Sequence, residues 1–367
     1  MSTKKTVFLG MSGGVDSSLS AVLLKEQGYN VVGVYMKNWS KNLPGMRCPW
    51  AEDLADAKRV ATKLGIDFLV FDFEREYKNK VVDYMLSEFK KGNTPNPDIM
   101  CNEEIKFKLF YEVAMEKGAD LIATGHYARI SSADKNTNEN TDSTHMSESK
   151  KHLCLARDES KDQTYFLYRI SEDAISHTLF PVGDMYKKDV KALAKKYRLE
   201  NAYKKESMGV CFVGEVGIKD FLKEYIKEKA GPIIDIDSNK EVGTHEGAIF
   251  YTIGQRKGLN IGGGMSYYVV KKDIKKNIVY VSQNLNNANL WTKEVKLKDV
   301  IIREKLESSQ KVLVRLRHLA PLIPARVTLK TDDMATVEFE KEVKIPASGQ
   351  SVVFYDGEVC LGGGIIE

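Results

Sequence analysis

The 367-residue sequence contains no apolar run near the roughly 20 residues that a membrane-spanning helix needs, and its first residues, MSTKKTVFLG, hold no long apolar segment of leader type. The expected location is the cytoplasm, with no membrane as a partner. Cysteine is scarce. The five present (Cys48, Cys101, Cys154, Cys211 and Cys360) are odd in number and form no C-x-x-C pair, which argues against both a disulfide framework and a structural zinc site. In a reducing compartment their default role is that of small buried hydrophobes, so a chemical role for any of them needs separate evidence. An excess of one charge is lacking as well. Lys and Arg number 55 against 51 Asp and Glu, a formal net charge of +4, which falls short of the basic balance of a dedicated nucleic-acid binder.

What is present is the composition of a globular protein, and at about 150 residues per domain the chain is expected to hold two or three. Near the N-terminus the apolar run Thr6, Val7, Phe8, Leu9 leads into GMSGGVDSS and then into the helical pattern SSLSAVLLKEQG. Strand, glycine turn and helix start are the parts of a phosphate cradle. Gly13 and Gly14 can take backbone angles closed to other residues, so N–H groups converge on an anion at the positive end of the following helix. Ser12, Ser17 and Ser18 add hydroxyls. The loop lacks the lysine of G-x-x-x-x-G-K-[ST], with Asp16 near where a base would stand, and it does not spell G-x-G-x-x-G.

Further along, apolar runs at 31–36, 68–73 and 119–129 alternate with helical patterns, which predicts a parallel α/β sheet with right-handed crossovers. Ligands on such sheets gather at the carboxyl ends of the strands. The loops at 10–18, at Met36, at 98–101 and at Gly125-His126 are therefore expected on one rim. Residues 131–151 are polar and read as a surface insertion. Residues 187–205 carry eight Lys or Arg, either a solvated helix face or a contact with a phosphate backbone. Short glycine-rich β segments follow, and the short alternating strands VLVRLRH, ARVTLK, ATVEFE and SVVFYDG predict a small C-terminal barrel. The expected domains are 1–206, with the insertion inside it, 207–283 and 284–367.

The loop S-G-G-x-D-S resembles that of the ATP pyrophosphatases, the PP-loop or N-type family. Together with MKNW at 36–39, AEDLADAKRVATKLGI, TPNPDIMCNEEIKF, GHYAR, KDQTYFLY, GVCFVG and YTIGQRKGL, it makes nearly the whole chain similar to the bacterial tRNA-specific 2-thiouridylases. That resemblance implies a Rossmann-like PP-loop domain, a small central domain and a C-terminal β-barrel. It implies ATP, with Mg2+, held by Gly10, Met11, Ser12, Gly13, Gly14, Val15, Asp16 and Ser17, with Met36 at the adenine and Gly125 on the next loop. Sulfur is to reach the wobble uridine from a persulfide on Cys211, Cys101 closing a disulfide with it, and Asp98 acting as general acid or base. The implied tRNA contacts are Asn96, Pro97 and Asp98 at the target base, then His126, Lys161, Asp162, Gln163, Arg317, His318 and Gln350. A sulfur-relay or cysteine desulfurase protein is the implied donor.

Three alternatives stay open at this point. An iron–sulfur cluster on Cys101, aided by Cys48, would serve the same adenylation by another sulfur route. Other PP-loop enzymes adenylate a carbonyl and transfer nitrogen, and an RNA-binding module would keep the loop for regulation alone.

Overall fold

The computed structural model describes residues 4–42, 48–132, 150–204, 217–262, 264–307 and 309–367. The predicted insertion, apart from its ends, and the Cys211 segment with all that was expected of it lie outside these residues. By packing the chain divides into two compact units, one of residues 1–80, 98–214 and 355–361 and the other of 81–97, 215–354 and 362–367.

The first unit is built on a parallel sheet. β1 (Thr6–Gly10) lies between β2 (Asn30–Lys37) and β4 (Leu121–Thr124), with β3 (Asp67–Asp72) outside β2 and the two-residue strand Thr178–Leu179 outside β4. The register pairs Gly10 with Val34 on one side and with Thr124 on the other, so the carboxyl ends of the three central strands share one edge. The near-continuous apolar runs of β1 and β2 follow from burial on both faces, whereas edge strand β3 leaves Leu69 and Val70 exposed. Between β1 and β2 runs α1 (Val15–Glu26), and between β2 and β3 runs α2 (Trp50–Leu64), which ends at Gly65 in the left-handed conformation. Leu19 and Val22 of α1, Ala57 and Val60 of α2, and Val190 and Ala194 of helix Lys187–Lys196 share one core. A hairpin of Arg129–Ser131 with His152–Cys154 extends to Val359, which pairs with Cys154.

Two helices expected to be regular contain wide π-type turns, at Lys78–Val82 and at Cys101–Leu109. Such turns insert a residue into the helical ladder and re-aim the side chains around it, often at functional sites. KDQTYFLYRI forms a 3-10 turn at Thr164–Phe166, and a short helix spans Ile218–Lys223.

The second unit holds a four-stranded sheet in the order Tyr268–Asp273, Ile278–Ser282, Gly231–Asp235, Lys240–His245. A six-stranded antiparallel barrel belongs to it as well, except for residues 355–361 of the last two strands. Its strands run Trp291–Ile302, Ala335–Lys344, Ile323–Leu329, Gln310–Arg315, Ser351–Asp356 and Val359–Ile366 in spatial order, and the last pairs back onto the first through Leu297 and Ile366. Closure removes the exposed edges of the sheet. No helix among the described residues is long and apolar enough to cross a membrane.

Candidate active site

The loop after β1 has the form the sequence predicts. Gly13 has φ +75°, and a Cβ on it would lie 2.4 Å from the carbonyl oxygen of Asp53, so any side chain there would push α2 away. Gly14 is the N-cap of α1 and no side chain caps it, which leaves the first helical N–H groups facing the loop. Ser12 Oγ accepts from Gly14 N at 3.4 Å and lies 3.3 Å from Ser17 Oγ, while Ser18 Oγ donates to the Gly14 carbonyl at 2.9 Å. Gly125, on the loop after β4, comes so close to α1 that a Cβ on it would sit 2.7 Å from Ser17 N. A Cβ on Gly10 would sit 2.9 Å from Met36 Cε. Gly10, Met36, Gly125 and the Ser17 turn thus meet on one edge, as expected.

The charge at this edge comes from a distance in sequence. Lys187 Nζ donates to Asp16 Oδ1 and Oδ2, both at 2.7 Å, and Tyr127 donates its hydroxyl to Oδ1 at 2.8 Å. The Lys187 ammonium also lies over the Tyr127 ring, 5.3 Å from its centre. Lys187 is 7% exposed, so it leaves the exposed basic run to which the sequence assigned it; Lys188, Lys195 and Lys196 remain outside. Asn201 Nδ2 donates to the Gly13 carbonyl at 2.9 Å and to Ser18 Oγ at 2.7 Å, and Lys204 bridges Asp53 and Asp56 at 2.6 Å. None of these four supports (Lys187, Tyr127, Asn201, Lys204) lies in a motif that spells phosphate binding.

The donor set fits ATP, since uncapped helix N–H groups, three serine hydroxyls and a lysine gather at a glycine-rich loop. It also fits Mg2+ that travels with the nucleotide: one carboxylate, Asp16, stands at the loop, and such ions take most of their ligands from phosphate and water. Among the described residues no group of three His, Cys, Asp or Glu is placed to hold a metal by itself.

Asp98 and Cys101 stand three apart where the helix Pro97–Met100 runs into the π-type turn, a spacing that puts them on neighbouring positions of one face. Asp98 is partly exposed, whereas Cys101 is 0% exposed. The same turn is anchored by Arg169, whose Nε donates to Glu103 Oε2 at 2.6 Å, and it carries Phe107 to within 5.7 Å of the His126 ring. His126 is half-buried as a residue, but its ring is flanked by Phe107 and Phe180 and its Nδ1 lies 2.8 Å from Thr124 Oγ1. Burial, aided by the Lys106 charge, pushes its pKa well below the usual histidine value.

The other described cysteines are packed. Cys48, 8% exposed, donates its thiol to the Trp39 carbonyl, and burial pushes its pKa up, the reverse of what a cluster ligand needs. Cys154 and Cys360 lie buried in strands. The described thiols therefore assemble no iron–sulfur site.

Of the remaining predicted contacts, Asp162 is fully buried, its carboxylate accepting from Ala156 N at 2.9 Å and Thr164 Oγ1 at 2.7 Å. Gln163 Oε1 accepts from Tyr127 N at 2.9 Å. These two side chains are spent on holding their loop against the strand edge. Lys161 is partly exposed, and Arg317 is exposed beside a half-buried His318. Asn96 and Pro97 belong to the second unit with Gln350, whose Nε2 donates to the Thr94 carbonyl at 2.7 Å.

The chain is similar to known proteins along its whole length. Residues 5–215 match the family model described as tRNA methyl transferase HUP domain, 219–283 its PRC-barrel domain, and 292–366 the aminomethyltransferase beta-barrel domain. The chain is 45% identical over 373 residues to the tRNA-specific 2-thiouridylase MnmA of Proteus mirabilis, covering 100% of this chain and 98% of that one. It is 42% identical over 365 residues to the enzyme of the same name from Bacillus subtilis, covering 98% and 94%. Likeness at that identity along both full lengths admits one conclusion: the chain belongs to the tRNA-specific 2-thiouridylase family.

Proposed function

We propose that the protein is a tRNA-uridine 2-sulfurtransferase, which uses ATP to replace the C2 oxygen of the wobble uridine with sulfur and releases AMP and pyrophosphate. The observation that carries the reading is full-length identity of 42% and 45% to thiouridylases in a chain whose first loop is built to hold phosphate. A uracil carbonyl oxygen is a very poor leaving group, so O2 first attacks the α-phosphorus and expels pyrophosphate. The uncapped N–H groups of α1 and the hydroxyls of Ser12 and Ser17 hold the departing anion, and Lys187 neutralises Asp16 beside it. Mg2+ bound together with ATP would supply positive charge to the leaving pyrophosphate.

Sulfur comes from a persulfide on Cys211. Cys101 attacks the inner sulfur, a Cys101–Cys211 disulfide forms, and the terminal sulfur leaves as hydrosulfide, which adds to C2 and displaces AMP. Asp98 takes the Cys101 proton. A dithiol reductant resets the disulfide. The persulfide is supplied in the cytoplasm by a sulfur-relay or cysteine desulfurase protein. Nitrogen-transferring users of the same loop need neither cysteine, and the cluster alternative finds no thiolate set among the described residues.

The test is incubation with ATP, a persulfide donor and unmodified tRNA. Formation of 2-thiouridine with one AMP and one pyrophosphate per sulfur is expected. Stoichiometric ADP and phosphate would overturn the assignment, because the loop lacks the lysine that steers γ-phosphoryl transfer.

A further inference from the structure

Thr94 opens the TPNPD segment, and every polar group on it is bonded within the second unit. Its backbone N–H donates to the Ser348 carbonyl at 2.7 Å, its own carbonyl accepts from Gln350 Nε2 at 2.7 Å, and its hydroxyl lies 3.4 Å from Thr252 Oγ1 in the YTIGQRKGL motif. Asn93, one residue earlier, donates its N–H to the Glu88 carbonyl at 3.0 Å and Nδ2 to Glu88 Oε2 at 2.7 Å. The barrel loop opposite is itself pinned to the last strand. Gly349 N donates to the Ile366 carbonyl and Ile366 N to the Gln350 carbonyl, both at 2.8 Å, and Ser348 Oγ donates to the Glu367 carbonyl at 2.7 Å.

Gly349 shows how close the two segments come. Its φ is +89°, and a Cβ on it would lie 3.0 Å from both Asn93 Cβ and Thr94 N. No other residue satisfies both the conformation and the space. A barrel loop held to its own sheet thus grips the main chain two residues before Asn96.

We propose that Gly349 and Gln350 are positioning residues: the barrel loop 348–350 fixes the Asn93-Thr94 backbone and so aims Asn96 at the target uridine. The inference rests on the proposed function and refines one part of it. Gln350, whose resemblance-based role is contact with tRNA, is committed through its amide to the Thr94 carbonyl. Affinity for tRNA is dominated by phosphate contacts, whereas a shift of about 1 Å in a group that orients a reacting base costs on the order of 100-fold in rate. Loss of the grip should therefore appear in turnover and leave binding alone.

The experiment compares full-length wild type with Gln350→Ala, Gln350→Glu and Gly349→Ala in single-turnover thiolation at saturating ATP and tRNA, with tRNA Kd and amide hydrogen exchange of residues 93–97 measured in parallel. Expected are a fall in rate of about 10-fold or more, a tRNA Kd within about twofold of wild type, and exchange at Thr94 faster by about 10-fold or more. Exchange in strand Ala335–Lys344 should not change, which separates a released loop from a loosened barrel. Gln350→Glu, which sets a carboxylate against the Thr94 carbonyl, should be no milder than Gln350→Ala. A Gln350→Ala protein with weakened tRNA binding, normal rate at saturation and unchanged Thr94 exchange would overturn the proposal in favour of direct contact. Normal values throughout would overturn it outright. Should Gly349→Ala fail to fold, Gln350→Ala, which adds no atoms, decides. Absence of thiolation by wild type would defeat the functional reading, and the exchange data would still decide whether the grip exists.

Discussion

Lys187 and Asp16 lie 171 positions apart in sequence and meet through two hydrogen bonds of 2.7 Å. A carboxylate in a phosphate-binding loop repels the ligand unless its charge is compensated, and Lys187 supplies that compensation from a site 7% exposed. Removing one partner of such a pair leaves the other charge uncompensated, an effect of about 1.5–3 kcal/mol for a pair that is only partly enclosed.

Lys187→Met is accordingly expected to raise the KM for ATP about 10- to 100-fold, with Lys187→Arg intermediate and Asp16→Asn restoring part of the loss in the Lys187→Met background. The salt slope of tRNA binding should be unchanged by Lys187→Met. Neutralising Lys188, Lys195 and Lys196 together should lower it, each lost phosphate contact removing about 0.7–0.9. Filter binding across a salt series measures both, and a slope that responds to Lys187 alone would place its charge on the tRNA.

The strand, glycine turn and helix at residues 6–26 were legible because their geometry is local: Gly13 and Gly14 sit where the chain must turn, and the apolar run before them is buried on both faces. Lys187 was not legible. It heads a lysine-rich run whose other members are exposed, and nothing in the spacing marks the one that points inward. The π-type turn at Cys101–Leu109 is not legible in the sequence because a wide turn changes the helical period by one residue without altering composition. The barrel is legible in its short alternating strands, but its longest strand, Trp291–Ile302, is not, since lysines and glutamates dominate its outward face. Burial of Cys101 depends on which segments cover it, and that is tertiary information.

Gly125→Ala should uncouple the nucleotide loop from the sheet without removing any polar group. The added Cβ would meet Ser17 N at 2.7 Å and the Asp16 carbonyl carbon at 2.9 Å, and overpacking of this kind costs about 1–3 kcal/mol. The first turn of α1 is what moves. ATP-induced thermal stabilisation should fall by most of its wild-type value, and full retention of that shift would show that the loop does not need the contact.

His126 gives the protein a pH dependence whose sign follows from its depressed pKa. In the unfolded chain the imidazole titrates near about 6.5, so below that pH the unfolded state takes up a proton that the folded state refuses. Stability is lost as pH falls through about 6.5, by at most about 1.4 kcal/mol per pH unit until the folded group also titrates. Melting curves from pH 7.5 to 5.5 should therefore drop more steeply for wild type than for His126→Gln. Parallel curves would mean that the ring is protonated in the fold despite Phe107 and Phe180.

The cysteines provide the most direct division between chemistry and packing. Cys101→Ser and Cys211→Ser should each abolish sulfur transfer, whereas Cys154→Ser and Cys360→Ser should leave it largely intact. Exposure does not make this distinction, because Cys101 and Cys360 are both 0% exposed and Cys154 is 5% exposed. What singles out Cys101 is its place at the start of a π-type turn, three residues after Asp98, while the other two lie in paired strands. A thiol this deeply covered reacts only when its cover moves. Alkylation of Cys101 followed by mass spectrometry should be slow in the free protein and faster by about 10-fold or more when tRNA and a non-hydrolysable ATP analogue are added, since a local opening of about 1.4 kcal/mol accounts for each factor of ten. The two Cα atoms must also come within about 4.4–6.8 Å for the disulfide to close. A Cys101 that stays protected with both substrates bound, in a preparation that thiolates tRNA at full rate, would remove it from the sulfur-transfer step and leave Cys211 to act alone.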